Sequence, residues 1–238
     1  MIDPLDRRIN HRNFKQDEYP TRDVISDIIQ DAINVSPIKG QLYINVDVWG
    51  PEHHQIKKDL VLTSGYELTG LKRTQDENLS DFEWEDKILN QYHNNPEQFN
   101  TQLEAPYLLA LTEDKIENKP RHKRTRLKRF WENLGIFGYA LALTANKRGV
   151  DASYCSHYNM NYTTKFNKMC IDYKKKGKNV LFFLGLGYYD FYAKETNWKF
   201  VDEDIVEHRL GGRYNVKTRT RDGYKKIKQD CDTLVNWQ

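Results

Sequence analysis

The sequence predicts a mixed α/β layer protein with few strands for its length, and three observations carry that expectation. Residues 20–37 repeat apolar side chains at helical spacing, residues 43–49 alternate apolar with polar side chains, and residues 130–149 form a long apolar stretch arranged in helical rows. Such faces are stable only when packed in layers around a shared core.

In order along the chain, "PTRDVISDIIQDAINVSP" (20–37) gathers Val24, Ile25, Ile28, Ile29, Ala32 and Ile33 on one face. Thr21 is placed to cap this helix, Asp23 sits in its first turn and Pro37 ends it. "YINVDVW" (43–49) sets Ile44, Val46 and Val48 against Asn45 and Asp47, the period of a half-buried strand. "GPEHHQIKKDLVL" (50–62) restarts a helix with Pro51 at a tolerated first-turn position. Residues 63–104 are mixed and polar, an excursion of one or two short helices, and "APYLLALT" (105–112) is an apolar run of strand length. In "FWENLGIFGYALALTANKRG" (130–149), Phe130, Leu134, Phe137, Leu141 and Ala145 form one row while Ile136, Tyr139, Ala140 and Leu143 fill other faces. A helix so apolar is expected to be buried nearly all round, at the centre or between subunits, with Gly135 and Gly138 letting another backbone approach. Lys147, Arg148 and Gly149 supply its last turn and stop. A short segment at 150–155 leads to a helix-like stretch near 160–176 and a buried strand, "NVLFFLGLG" (179–187). The tail from 188 to 238 is aromatic and charged without a clear period.

A chain of 238 residues with 38% apolar and 13% aromatic side chains can bury one core, so a single domain over 1–238 is expected, with the excursion at about 63–104 and a tail from about 190. No run approaches 18 apolar residues, and "MIDPLDRRIN" carries acids and a proline where a signal peptide is apolar, so a cytoplasmic protein without a membrane partner is expected. Three cysteines without CxxC spacing read as free thiols. The net charge of +3, from 37 basic and 34 acidic residues, does not point to nucleic acid. Charge is nevertheless uneven: 74–87 is acidic, while "PRHKRTRLKR" (120–129) carries six Lys or Arg and no acid.

Several signatures fail on inspection. "GLG" at 185–187 lacks the third glycine and the helix of a dinucleotide turn. Cys155 and His157 have no complementary ligand pair, adjacent His53 and His54 point apart on a helix, and GxSxG, P-loop and HExxH motifs are missing, so no metal is expected. "RRINHRNF" (7–14) is different. An extended backbone turns Arg8, Asn10 and Arg12 to one side, and converging donors suit a phosphate, whose charge of about -1.5 to -2 rewards charge-assisted bonds of roughly 1.5–3 kcal/mol each.

Arg8-x-Asn10-x-Arg12-x-Phe14 resembles the Arg-x-Ser-x-(Arg or Lys)-x-Phe opening of the nitroreductase-like flavoproteins, with Asn10 in the serine position. The likeness continues in order from about residue 5 to 190, through "INVSPIKGQ" (33–41), "FNTQLEAPYLLALT" (99–112), "ENLGIFGYALALTANKRGVDASY" (132–154) and "LFFLGLGYYD" (181–190). It implies an α+β fold in which a small mixed or antiparallel sheet is sandwiched by helices, and a homodimer paired through the long helix with FMN at the interface. Arg8, Asn10 and Arg12 would then grip the FMN phosphate. Ser36, Pro37 and Lys39 would lie against the ring, Asn100 would address its pyrimidine edge, and Tyr154, Cys155 and Ser156 would stand near N5. Lys217 and Arg219 would return to the phosphate, with Arg213 and Arg221 as alternatives.

Two loops depart from the family pattern. Ile38, Lys39, Gly40 and Gln41 replace the usual Ser, Asn and Gln-Pro-Trp, and "SYCSHYN" (153–159) replaces a Pro-Ile-Gly-Gly or Gly-Phe-type loop. The implied activity is hydride transfer from NAD(P)H through flavin to a nitroaromatic, quinone or related acceptor. The cofactor carries that chemistry, so binding residues are expected and no side-chain acid or base is assigned. Dehalogenation or flavin consumption within the same superfamily is one alternative. A flavin-less nucleic-acid or interaction protein using 120–129 is another.

Overall fold

A computed structural model describes residues 13–36, 44–68, 81–96, 99–113, 123–156 and 168–190. Helix α1 runs Arg22–Val35, with the Thr21 side chain accepting the Val24 N–H and Ser36 closing the other end through its N–H to the Ala32 carbonyl. Strand β1 is Ile44–Trp49, and a 3-10 turn at Pro51–His53 leads into α2, His54–Leu68. Helix α3 spans Asp81–Asn94, a second 3-10 turn Thr101–Glu104, and β2 Tyr107–Glu113. Helix α4 is Lys123–Lys147, β3 Asp151–Cys155, α5 Lys168–Lys175 and β4 Val180–Gly187.

The four strands form one sheet in the order β1-β2-β4-β3, and every pairing is antiparallel. Because side chains alternate across a strand, β2 sends Leu108 and Ala110 to one layer and Leu109 and Leu111 to the other. The first layer packs on α2, α3 and α5 through Leu60, Ile88, Met169 and Tyr173. The second packs on α1 and α4 through Ile25, Ile28, Phe137 and Leu141. Helices α1 and α4 are tied by the Thr144 hydroxyl, 3.2 Å from the Ile28 carbonyl oxygen and 2.9 Å from that of Ala140. The edge strand β1 is pinned to α5, as the Trp49 indole N–H donates to the Tyr173 hydroxyl at 2.8 Å. Among the described residues no helix is long and apolar enough to cross a membrane, and no group of three His, Cys, Asp or Glu gathers as a metal site.

Two elements differ from the sequence expectation. The segment 151–155, read as a connection, is a strand, because its small residues Ala152 and Ser153 fit against Leu186 and Gly185 of β4. Helix α4 starts in the basic run, since Lys, Arg and Leu are strong helix formers and nothing interrupts them. Within one chain it is buried on one side only. Phe130, Leu134, Phe137, Leu141 and Ala145 are inside, whereas Trp131 is 57%, Ile136 42% and Tyr139 46% exposed. Gly138 meets the Phe182 ring, not a backbone, and Gly135 faces open space. Gly149, at φ 78°, ends the helix as expected and lets the Val150 N–H reach back to the Ala145 carbonyl at 2.9 Å.

Candidate functional site

The turn 101–104 lies where three elements meet. On β4, Gly185 and Gly187 alternate with the buried Leu184 and Leu186, so this end of β4 carries no side chain on the face toward the turn. A Cβ at Gly185 would sit 2.6 Å from the Gln102 carbonyl oxygen and 2.7 Å from Ala105 Cβ, and one at Gly187 2.8 Å from Pro106 Cδ. The glycines are therefore what lets the chain from 102 to 106 press onto the sheet. From the other side, α2 holds the same chain: Ser64 Oγ accepts the Asn100 N–H at 3.0 Å, and Lys57 Nζ donates to the carbonyl oxygens of Ala105 and Pro106.

This packing buries two carboxamides together. Asn100 and Gln102 are each 3% exposed, and Gln102 Nε2 donates to Asn100 Oδ1 at 3.5 Å and to the Tyr154 carbonyl at 3.3 Å. Gln102 Oε1 is buried without a hydrogen-bond partner among the described residues. A buried acceptor left unpaired costs about 1–3 kcal/mol, so its presence in a well-packed turn calls for a reason. Beside it, Glu104 is pushed above the usual carboxylate range, chiefly by burial, while the Tyr92 hydroxyl, 3.1 and 3.2 Å from its two oxygens, pulls the other way. Burial raises the Tyr92 phenol as well.

Of the residues singled out from sequence, the structure brings Asn100 and Tyr154 together, joined by Gln102. Alternation along β3 then separates the other two. The Tyr154 side chain enters the α4 layer, where its hydroxyl donates to the Gly138 carbonyl and its ring lies 5.6 Å from that of Phe182. Cys155 enters the opposite layer, buried in the cluster that holds Met169 and Cys170 and not in a disulfide, and Ser156 is exposed past the strand end. Ser36 is placed at the end of α1, its hydroxyl donating to the Ala32 carbonyl at 2.6 Å, and no described contact joins it to Asn100. Arg8, Asn10, Arg12, Pro37, Lys39, Lys217 and Arg219 lie outside the described residues, as do the rivals Arg213 and Arg221. The chain just after Arg12 is well anchored: Phe14 is buried and bridges Tyr189, the Asp190 N–H donates to the Asn13 carbonyl at 3.1 Å, and the Lys15 N–H to that of Tyr188 at 2.9 Å. Gln102 and Lys57 are the residues that sequence reading missed. The only signal for Gln102 was its place two residues after Asn100, ahead of Ala105-Pro106.

No protein-family profile matches the sequence, and no curated protein matches it either. Solved structures do. An FMN- and NADPH-dependent nitroreductase from sphigopyxis sp. strain HMH superposes with a TM-score of 0.52 at 16% identity, over 99% of this chain and 97% of that one. The chain has the nitroreductase fold. A nitroreductase with bound FMN from Desulfitobacterium hafniense DCB-2 gives 0.50 at 16% identity, over 80% and 90% of the two chains. A BluB-like flavoprotein from Clostridium difficile 630 also gives 0.50, at 18% identity, over 85% and 95%. The fold is thus shared along most of each chain at low sequence identity.

Proposed function

We propose that the protein is an FMN-dependent oxidoreductase that takes hydride from NAD(P)H and passes it to a nitroaromatic, quinone or related acceptor. The observation that carries the reading is the carboxamide pair of Asn100 and Gln102, with its unsatisfied Gln102 Oε1, on a fold whose solved neighbours include FMN-dependent enzymes. The pyrimidine edge of a flavin offers one N–H between two carbonyls, and a pair of amides is the complementary donor and acceptor set. The chemistry of the described residues therefore fits the group. FMN, when bound, supplies the hydride transfer, and the protein supplies position and charge.

In this reading Arg8 and Arg12 neutralise the phosphate, Asn10 completes its donor set, and Lys217 and Arg219 return to it from later in the chain. Asn100 orients the ring edge, and Gln102 holds Asn100 and the Tyr154 backbone in one arrangement. Ser36, Pro37, Lys39, Cys155 and Ser156 line the ring only through the loops that carry them, since Ser36 and Cys155 turn their side chains elsewhere. The working form is a homodimer joined through the outer face of α4, where Trp131, Ile136 and Tyr139 form an exposed apolar stripe around the open Gly135. The cytoplasm is the proposed compartment.

The purified full chain is expected to show a flavin-like visible spectrum, directly or after adding FMN, that bleaches with NADH or NADPH and recovers with a nitroaromatic or quinone. A chain that takes up no FMN overturns the reading. Gln102→Leu is expected to change stability by less than about 1 kcal/mol, because removing an orphaned acceptor offsets the loss of the two Nε2 hydrogen bonds, while FMN affinity falls about fivefold. Thermal melting and a flavin titration on one preparation check both.

A further inference from the structure

Lys57 stands on α2 with 1% of its surface exposed, and its Nζ donates to the Ala105 carbonyl at 2.8 Å and the Pro106 carbonyl at 2.6 Å. Seven residues on, Ser64 accepts the Asn100 N–H at 3.0 Å. Residues seven apart share one face of a helix and lie about 10 Å apart along its axis. Helix α2 therefore grips the segment 100–106 at both ends, with Leu60 and Val61 fully buried between the grips. Burying an ammonium is costly, and this one spends its protons on two backbone carbonyls of the segment that carries Asn100 and Gln102.

On the flavin reading above, on which this step rests, we propose that Lys57 is a positioning residue of the cofactor site: by holding Ala105 and Pro106 from α2, it sets where the turn presents Asn100 and Gln102. The groups facing it are Glu52 from the turn 51–53 and Glu104 from the turn 101–104. His54 and Lys58 on its own helix and Tyr92 on α3 act on Glu104, while Arg22 of α1 and Tyr107 of β2 adjoin Glu52. Burial lowers the Lys57 ammonium from the usual 10.5 to about 8, against the raising pull of Glu52 and Glu104.

That shift gives the role a signature. The folded chain gives up this proton near pH 8, whereas the unfolded chain keeps it to about 10.5. The unfolded state thus holds more protons across that window, and Lys57 makes folding more favourable as pH rises through it. The grip on the two carbonyls moves the other way, because charge-assisted bonds are roughly twice as strong as neutral ones. Loss of a merely structural contact would instead lower stability and cofactor affinity together.

The test is a titration of the full chain with FMN, followed by flavin fluorescence from pH 7 to 9, with thermal melts of the same samples. FMN affinity is expected to fall about fivefold through a one-proton step near pH 8 while Tm holds or rises, and folded Lys57→Met is expected to bind at least fivefold more weakly at pH 7 with no step. Full affinity in Lys57→Met, a flat profile in the parent, or a parallel fall of affinity and Tm overturns the role of Lys57 and leaves the flavin reading standing. No FMN uptake by the parent at any pH takes down both. Should Lys57→Met not fold, the parent's pH step and its melts decide alone.

Discussion

Gly185→Ala is expected to lower the stability of the fold by about 1–3 kcal/mol, the usual cost of forcing an extra methyl into a packed interior. The new Cβ would lie 2.6 Å from the Gln102 backbone oxygen and 2.7 Å from Ala105 Cβ, neither of which is the free end of a flexible side chain. Strand β4 is paired on both sides, by β2 and β3, so it cannot retreat, and the turn 101–104 must lift. At about 2–4 °C per kcal/mol for a domain of this size, Tm should drop by roughly 2–12 °C. Gly135→Ala is the comparison: among the described residues of one chain nothing lies within 4 Å of its Cβ, and within that chain replacing glycine in a helix gains about 0.4–1 kcal/mol. Equal melting temperatures for the two variants would contradict the packing of the turn on β4.

Arg12→Ala is expected to weaken FMN binding about 10–100-fold, the loss of one charge-assisted phosphate contact of roughly 1.5–3 kcal/mol. Stability should stay close to the parent's, since the anchor of this segment is Phe14 and its backbone bonds to Tyr188 and Asp190. Arg12→Lys keeps the charge without the fork and should fall between the two. Flavin titration at two salt concentrations reads the effect, and unchanged affinity in Arg12→Ala would remove the opening stretch from the site.

Much of this architecture was legible because local signals agreed with the packing. Helix α1 announced itself by a cap at Thr21 and a helical apolar face, and β4 by an unbroken apolar run between turn residues. Strand β3 was hidden because "DASYC" has neither alternation nor length, and only its pairing with β4 makes it a strand. The outer face of α4 was legible only as apolar: Trp131, Ile136 and Tyr139 are as apolar as core residues, and composition does not say which side of a helix finds its partner within one chain and which is left for a second subunit. The site was half legible. Asn100 was singled out by its resemblance, but Lys57, beside another lysine in a polar stretch, reads as solvated until α2 is laid against Ala105 and Pro106. Gln102 likewise becomes conspicuous only when its amide is seen to bridge Asn100 and Tyr154.

The bridge between Phe14 and Tyr189 sets an order of assembly during synthesis. Phe14 rests against the bare face of Gly187, and its neighbours Lys15 and Asn13 bond the backbone at 188 and 190, all of which leave the ribosome long after it. Contacts between stretches so distant in sequence form late. The segment at 13–15 must therefore wait for β4, and a nascent chain stalled before residue 180 should expose it to a protease that spares it in the finished protein.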